Sequence, residues 1–227
     1  MKTGVVFVSI FLITLPALAQ EDPYFIDKRD FRKQYKTIAL SPVDAVEIFN
    51  VSGSVAAALE EEITKRLERR GYTVLPSSVL GGIRAEMEQH VGGLEDPETG
   101  KVSPARQRAV RDHATRELWF RHDIDALATI RVAIVDATFQ KGRAEWDGAS
   151  QKLLAEGRDR GYGGNIRASS VVLGIFDPSG RLLYLNYGGL ELLQKRVEAK
   201  LLPLPASDYF ADEKRVRKAA EISASEI

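Results

Sequence analysis

Apolar positions in this chain are first continuous, then spaced three or four apart, and finally alternate. Gly4 to Leu15 form an apolar run behind Lys2, relieved only by Ser9 and Thr14 and closed by Pro16. A run this short, followed by Ala17-Leu18-Ala19, reads as a secretory signal cut after Ala19, leaving Gln20 as the new N-terminus. Residues 20–35 are polar apart from Tyr24, Phe25 and Phe31, and read as a lead-in packed loosely on the domain. Lys36 to Val43 suits a buried first strand ending at Pro42. Ser52-Gly53-Ser54 then offers a helix cap, and Val55, Leu59, Ile63 and Leu67 make a stripe at helical spacing. Gly71 is a fitting stop, and Tyr72 to Leu75 is a second strand. Strand, helix, strand in that order predicts a parallel pair with a crossover connection.

Pro76-Ser77-Ser78 starts a further helix to about Val91, with Val79, Ile83 and Met87 on one face. Gly92 to Gly100 is a loop. Ser103-Pro104 signals the start of a third helix, with Val110, Ala114 and Leu118 on its apolar side. From Asp125 the period becomes two. Ile130, Val132 and Ile134 share one face of a strand, and Ala133 and Val135 make the other face apolar too, which predicts an interior strand covered on both sides. Ala144 to Ser150 reads as a weaker edge strand. Arg167 to Phe176 and Arg181 to Tyr187 are the clearest strands, joined by Asp177-Pro178-Ser179-Gly180, a type I turn sequence. Leu190 to Leu202 fits either a helix or another strand. Residues 208–220 read as a terminal helix and Ile222 to Ile227 as a frayed end. Together these elements predict a single α/β domain, a mixed β-sheet flanked by helices over residues 36–207, followed by the C-terminal helix and tail at 208–227.

The opening strand KTIALSPV, the helix-to-strand run VAAALEEEITKRLERRGYTVLP and the late hairpin VVLGIFDPSGRLLYLNYGG carry a resemblance. The chain resembles the bacterial envelope fold group that includes the TolB N-terminal domain, CsgG and the periplasmic activators of peptidoglycan synthases. The resemblance implies a TolB-N/CsgG-like sheet and a non-catalytic role in scaffolding, activating or assembling other envelope machinery. The chain departs from the lipoprotein members in having no cysteine to carry a lipid, and from TolB in having no propeller after this domain.

Composition narrows the function classes. Of 227 residues, 32 are basic and 32 acidic. Loss of Lys2 with the signal leaves a formal charge of −1, which gives no basic footprint for nucleic acid. The chain has no cysteine, so no disulfide supports the core. No later segment is apolar for long enough to span a bilayer, so the expectation is an exported, periplasmic domain with no direct membrane anchor.

Candidate chemistry is sparse. His90, His113 and His122 lie in separate segments without metal-ligand spacing, so no metal is expected. Asp123 and Asp125 could share a strand face and act as an acid–base pair, but a helix-to-strand turn also favours aspartate there. Glu145-Trp146-Asp147-Gly148 could place an aromatic and two acids toward a sugar. It reads more simply as a tryptophan packed on the sheet beside an Asp-Gly turn. Ser169 and Ser170 lie in a strand with no histidine beside them, and Gly161 to Asn165 precedes a strand, unlike a phosphate loop. No cofactor is therefore expected, and the chain reads as a non-enzyme. The candidate partner-contact residues are Arg158, Arg160 and Tyr162 in a Gly- and Arg-rich loop, and Tyr209 and Phe210 ahead of the basic cluster Lys214, Arg215, Arg217 and Lys218. That cluster is either a solvated helix face or a docking helix for an acidic partner. The leading expectation is an accessory protein that binds another envelope protein. The alternative is a module for a small glycan or peptidoglycan fragment, and a hydrolase using Asp123 and Asp125 is a third.

Overall fold

A computed structural model describes residues 22–46, 49–153, 163–197 and 200–227, with the side chain of Arg196 excepted. The expected stripe forms helix α2 (Gly53–Arg69), capped by Ser52 and burying Leu59, Ile63 and Leu67. It joins β1 (Thr37–Leu40) to β3 (Thr73–Leu75), which pair in parallel with Thr37 opposite Thr73. A two-residue strand, β2 (Asp44–Ala45), lies between them in the chain. The next two helices, α3 (Ser77–His90) and α4 (Pro104–His122), follow the sequence expectation closely, and α4 buries Val110, Ala114 and Leu118.

The central strand is β4 (Ala126–Gln140). One of its edges is lined in succession by β1, β2 and β5 (Arg143–Trp146), while the other pairs along its length with β7 (Gly163–Phe176). The segment expected as one edge strand is a hairpin, β5 and β6 (Ala149–Lys152), turning at Asp147-Gly148. Both turn residues have positive φ, 40° and 73°, which is the geometry of the tight turn that matches strand twist. β7 and β8 (Leu182–Leu192) form the predicted hairpin, and Gly180 N–H donates to the Asp177 carbonyl at 2.9 Å.

Side-chain alternation sorts the layers. Ile38 and Leu40 face a large core with α2, and Ala39 faces a smaller one with α3 and α4. On β4, the face of Ala126, Ala128, Ile130 and Val132 stays in the large core. Ile134 continues that face but is 36% exposed. The expectation of a strand covered on both sides therefore holds only for its first half. Beyond Val132 the helical layer ends, and the opposite face turns inward: Ala137 joins Ala144, Trp146, Ile166, Ala168 and Leu192 in a third cluster. The sheet has curled over itself at this end, bringing β6 to β8, where Gln151 Oε1 accepts from the Leu192 amide.

Residues 22–35 and the C-terminal residues depart from the expectation. The lead-in contains helix α1 (Lys28–Gln34), and Phe31 is wholly buried with its ring 5.3 Å from Tyr24 and 5.9 Å from Tyr72. Residues 23–25 also lie along the edge of β8, with Phe25 N–H donating to Leu183 and Leu185 N–H to Pro23. The segment after Gly189 resolves as strand: β8 runs on, and β9 (Gln194–Val197) and β10 (Lys200–Pro203) form a separate two-stranded sheet. A short turn of helix at Ala206–Asp208 follows. The terminal helix α5 (Glu213–Ser223) begins later than predicted, because Phe210 sits at φ 62° and cannot continue a helix. The expected frayed tail is fixed: Ile227 is buried, Tyr184 OH donates to the Ser223 carbonyl at 2.8 Å, and Tyr24 OH to that of Glu226 at 2.9 Å.

Candidate functional site

A concavity lies where three elements meet around Gly188 and Gly189 of β8. Successive strand residues face opposite sides, and each glycine admits a different neighbour. A Cβ at Gly188 would overlap the carbonyl oxygen of Ala219 and stand 2.9 Å from Ser223 N, so α5 rests directly on the strand backbone. A Cβ at Gly189 would stand 2.5 Å from Ala149 Cβ and 2.7 Å from the Trp146 carbonyl oxygen, so the β5–β6 hairpin rests on the other side. Between hairpin and helix is a cleft of about 270 Å³, lined among others by Trp146, Gln151, Leu190, Arg215, Lys218 and Ile222.

The polar groups around this cleft are used to hold it together. Trp146 is 7% exposed, and its indole N–H donates to the Ser169 carbonyl at 3.0 Å. Asp147 accepts from the Ser170 hydroxyl at 2.5 Å. Burial pushes the Asp147 carboxyl above its ordinary range, and that hydrogen bond pulls against the shift. Glu191 is buried too, and desolvation raises it. Its Oε2 accepts from the Phe210 amide at 2.8 Å, while Arg215 lies 3.8 Å from its Oε1. Burial raises the Tyr187 phenol, and the nearby Asp147 charge adds to the effect. The Ser170–Asp147 pair thus ties β7 to the β5–β6 turn, and Glu191 ties β8 to the Phe210 loop.

The sequence candidates separate into three groups. Arg158, Arg160 and Tyr162 lie outside the described residues. Phe210 is buried at 7% exposure, its ring 5.3 Å from Phe49, and so is committed within the chain; Tyr209 is half-buried against the same phenylalanine. Much of the basic cluster is paired internally. Arg215 meets Asp212 at 3.2 Å, Arg217 meets Glu61 and Glu213 at 2.9 Å, and Lys218 meets Glu221 at 2.9 Å. Glu221 also pairs with Arg66 of α2. Arg217–Glu61 and Arg66–Glu221 join α5 to α2, a use that spacing along α5 alone could not show.

Asp123 and Asp125 do different work. Asp123 ends α4 in a left-handed conformation at φ 46°. Asp125 Oδ2 accepts from the amides of Lys36 and Thr37 at 2.7 and 2.8 Å, fastening the start of β1 to β4. His90, His113 and His122 are exposed on α3 and α4, and the described residues hold no group of three or more potential ligands that could bind a metal ion. Two features are not evident in the sequence: Glu191 as the anchor of the Phe210 loop, and the exposed apolar residues of β9 and β10. A signal for the second exists in Val197, Leu201 and Leu202, but it is ambiguous between helix and strand.

Those residues stand apart from every core cluster. Val197, Leu201 and Leu202 are 43%, 36% and 41% exposed on a paired hairpin. No helix of the described residues is long and apolar enough to cross a membrane.

No protein-family model and no curated protein matches the chain. Among solved structures, the lipoprotein GNA1162 from Neisseria meningitidis is similar at 17% identity and TM-score 0.35, over 68% of this chain and 81% of that one. The PelC dodecamer from Paraburkholderia phytofirmans gives 9% identity and TM-score 0.34, over 84% and 89%. A neuraminyllactose-binding hemagglutinin homolog from Helicobacter pylori gives 11% identity and TM-score 0.35, over 89% and 88%.

Proposed function

We propose that this chain is a non-catalytic accessory protein of the bacterial cell envelope, exported by its N-terminal segment and docking on another envelope component. The observation that carries the reading is the β9–β10 hairpin. Its ladder holds exposed Val197 and Leu202 together on one face of a sheet of its own, and exposed apolar pairs of this kind mark contact surfaces. The internal use of Asp147, Ser170, Glu191 and Asp125 supports a binding role over turnover. A photo-crosslinking residue at Leu202, compared with one at exposed Phe120 on α4, tests it in cells. A product formed from position 202 alone supports docking through the hairpin. Equal products from both positions, or none from 202, would remove this reading.

A second reading has one observation in its favour. Trp146, Gln151, Arg215 and Lys218 line a single cleft, which suits a small acidic glycan or peptidoglycan fragment. Titrating muropeptides into the wild type and into Arg215→Ala decides it. A saturating signal lost in the variant supports the site, and an identical flat response in both removes it.

A further inference from the structure

We infer that the component met by the hairpin end is an anionic lipid surface, with the hairpin resting on phospholipid headgroups. The inference rests on the docking reading above and names its partner by charge. In the β9–β10 ladder, Val197 opposes Lys200 and Leu202 opposes Lys195. Directly opposed residues, and residues two apart on a strand, share a face. One face therefore presents Val197 and Leu202 between Lys195 and Lys200, all four exposed. Two apolar side chains set among lysines match a headgroup boundary. The apolar groups enter the upper acyl region while the flexible lysine stems keep their ammonium groups among the phosphates.

The surroundings carry the same sign. Leu193 N–H donates to the Arg167 carbonyl, so β9 leaves β8 alongside the first half of β7. That half of β7 pairs with the last residues of β4, Gly163 opposite Gln140, and the chain then turns through Lys141 into β5. Exposed Arg167, Lys141, Arg143 and Lys152 thus belong to the same end of the curled sheet as the hairpin. Arg143 stands directly opposite Lys152 in the β5–β6 ladder. Like charges opposed on one face cost stability, and an anionic surface relieves that cost. Asp136 and Glu145 are the exposed carboxylates of the described strands here, fewer than the cations around them. An acidic protein groove would satisfy the lysines as well. Two outward apolar side chains on one strand face, with cations spread over neighbouring strands, fit a planar surface better than a groove.

The test is co-sedimentation of the full chain with vesicles of equal phosphatidylglycerol and phosphatidylcholine, against pure phosphatidylcholine. Lys195→Glu/Lys200→Glu is compared with a charge-matched control, Lys33→Glu/Lys101→Glu. All the chains share residues 1–19, so differences between them report on the hairpin and not on the apolar N-terminal run. The expected result is preferential binding to the anionic vesicles, weakened by salt, and lowered about twenty-fold by the hairpin reversal. The control retains binding. Val197→Ser/Leu202→Ser also weakens it while unfolding at the wild-type temperature. Equal binding to both vesicle types, or hairpin and control variants that behave alike, overturns the inference. A hairpin-dependent protein crosslink without vesicle binding would overturn the lipid assignment and leave the docking reading standing.

Discussion

The same stretch of chain behaves in two opposite ways within a dozen residues. At Gly188-Gly189 the strand is pressed from both sides, with a helix backbone on one face and a hairpin backbone on the other. After Leu193 it leaves the core, and by Val197 it carries apolar side chains into solvent. The first region admits no side chain, and the second presents several without covering them. Packing constraint and contact surface are thus neighbours along the sequence, separated by a break in the sheet at Leu193. A rigid, clamped base is what allows a small hairpin to hold its residues outward, since an isolated two-stranded hairpin is marginal in water.

Four variants test how different the two regions are. The largest effect is expected at Gly188→Ala, because its methyl group meets backbone that cannot rotate away. Displacement of α5 should cost more than about 3 kcal/mol by urea unfolding, or prevent folding. A mild loss would show that α5 is free to shift. Phe31→Ala comes next, at about 3–5 kcal/mol. It asks whether the N-terminal segment belongs to the clamped region, and an effect near zero would return that segment to a loose lead-in.

Asp147→Asn has a smaller effect with a defined pH dependence. Burial raises the folded-state carboxyl above its unfolded value. The stability associated with that proton is fully present below the unfolded value and is lost as pH rises through the folded one. Asparagine keeps the positive-φ turn and stays neutral. The variant should therefore equal or exceed the wild type at neutral pH, and the gap should close as pH falls below the ordinary aspartate range. Melting temperatures across that range check it. A gap that widens toward acid would reverse the assigned cause. The smallest effect belongs to Val197→Ser/Leu202→Ser, which should leave unfolding free energy within about 0.5 kcal/mol of wild type. A larger loss would place the hairpin inside the cooperative core.

Local signals in the sequence locate most of the elements. The α2 stripe, the Ser103-Pro104 start of α4 and the Asp177–Gly180 turn depend on neighbouring residues and backbone preference, so they are legible. The candidate cleft is legible only in pieces. Trp146 and the α5 cations each stand out, but they lie almost seventy residues apart, and their meeting depends on how far the sheet curls. Tyr209 and Phe210 stand out for their aromatic character. Burial of Phe210 follows from Glu191 capturing its amide, a contact that pattern alone does not encode.

By itself, then, the chain's order of apolar and polar residues determined the α/β class, the parallel β1–β3 unit, the β7–β8 hairpin and the helix caps, because each follows from short-range periodicity or turn chemistry. Only the tertiary structure decided which face of β4 is inside at each end, that Phe31 and Ile227 are locked into the core, and that α5 is tied to α2 through Arg217–Glu61 and Arg66–Glu221. These depend on contacts between residues distant in sequence. A sheet that curls reverses inside and outside along one strand without any change in its alternation. The residues on either side of Val132 look alike in sequence, and their surroundings differ because the helical layer stops there.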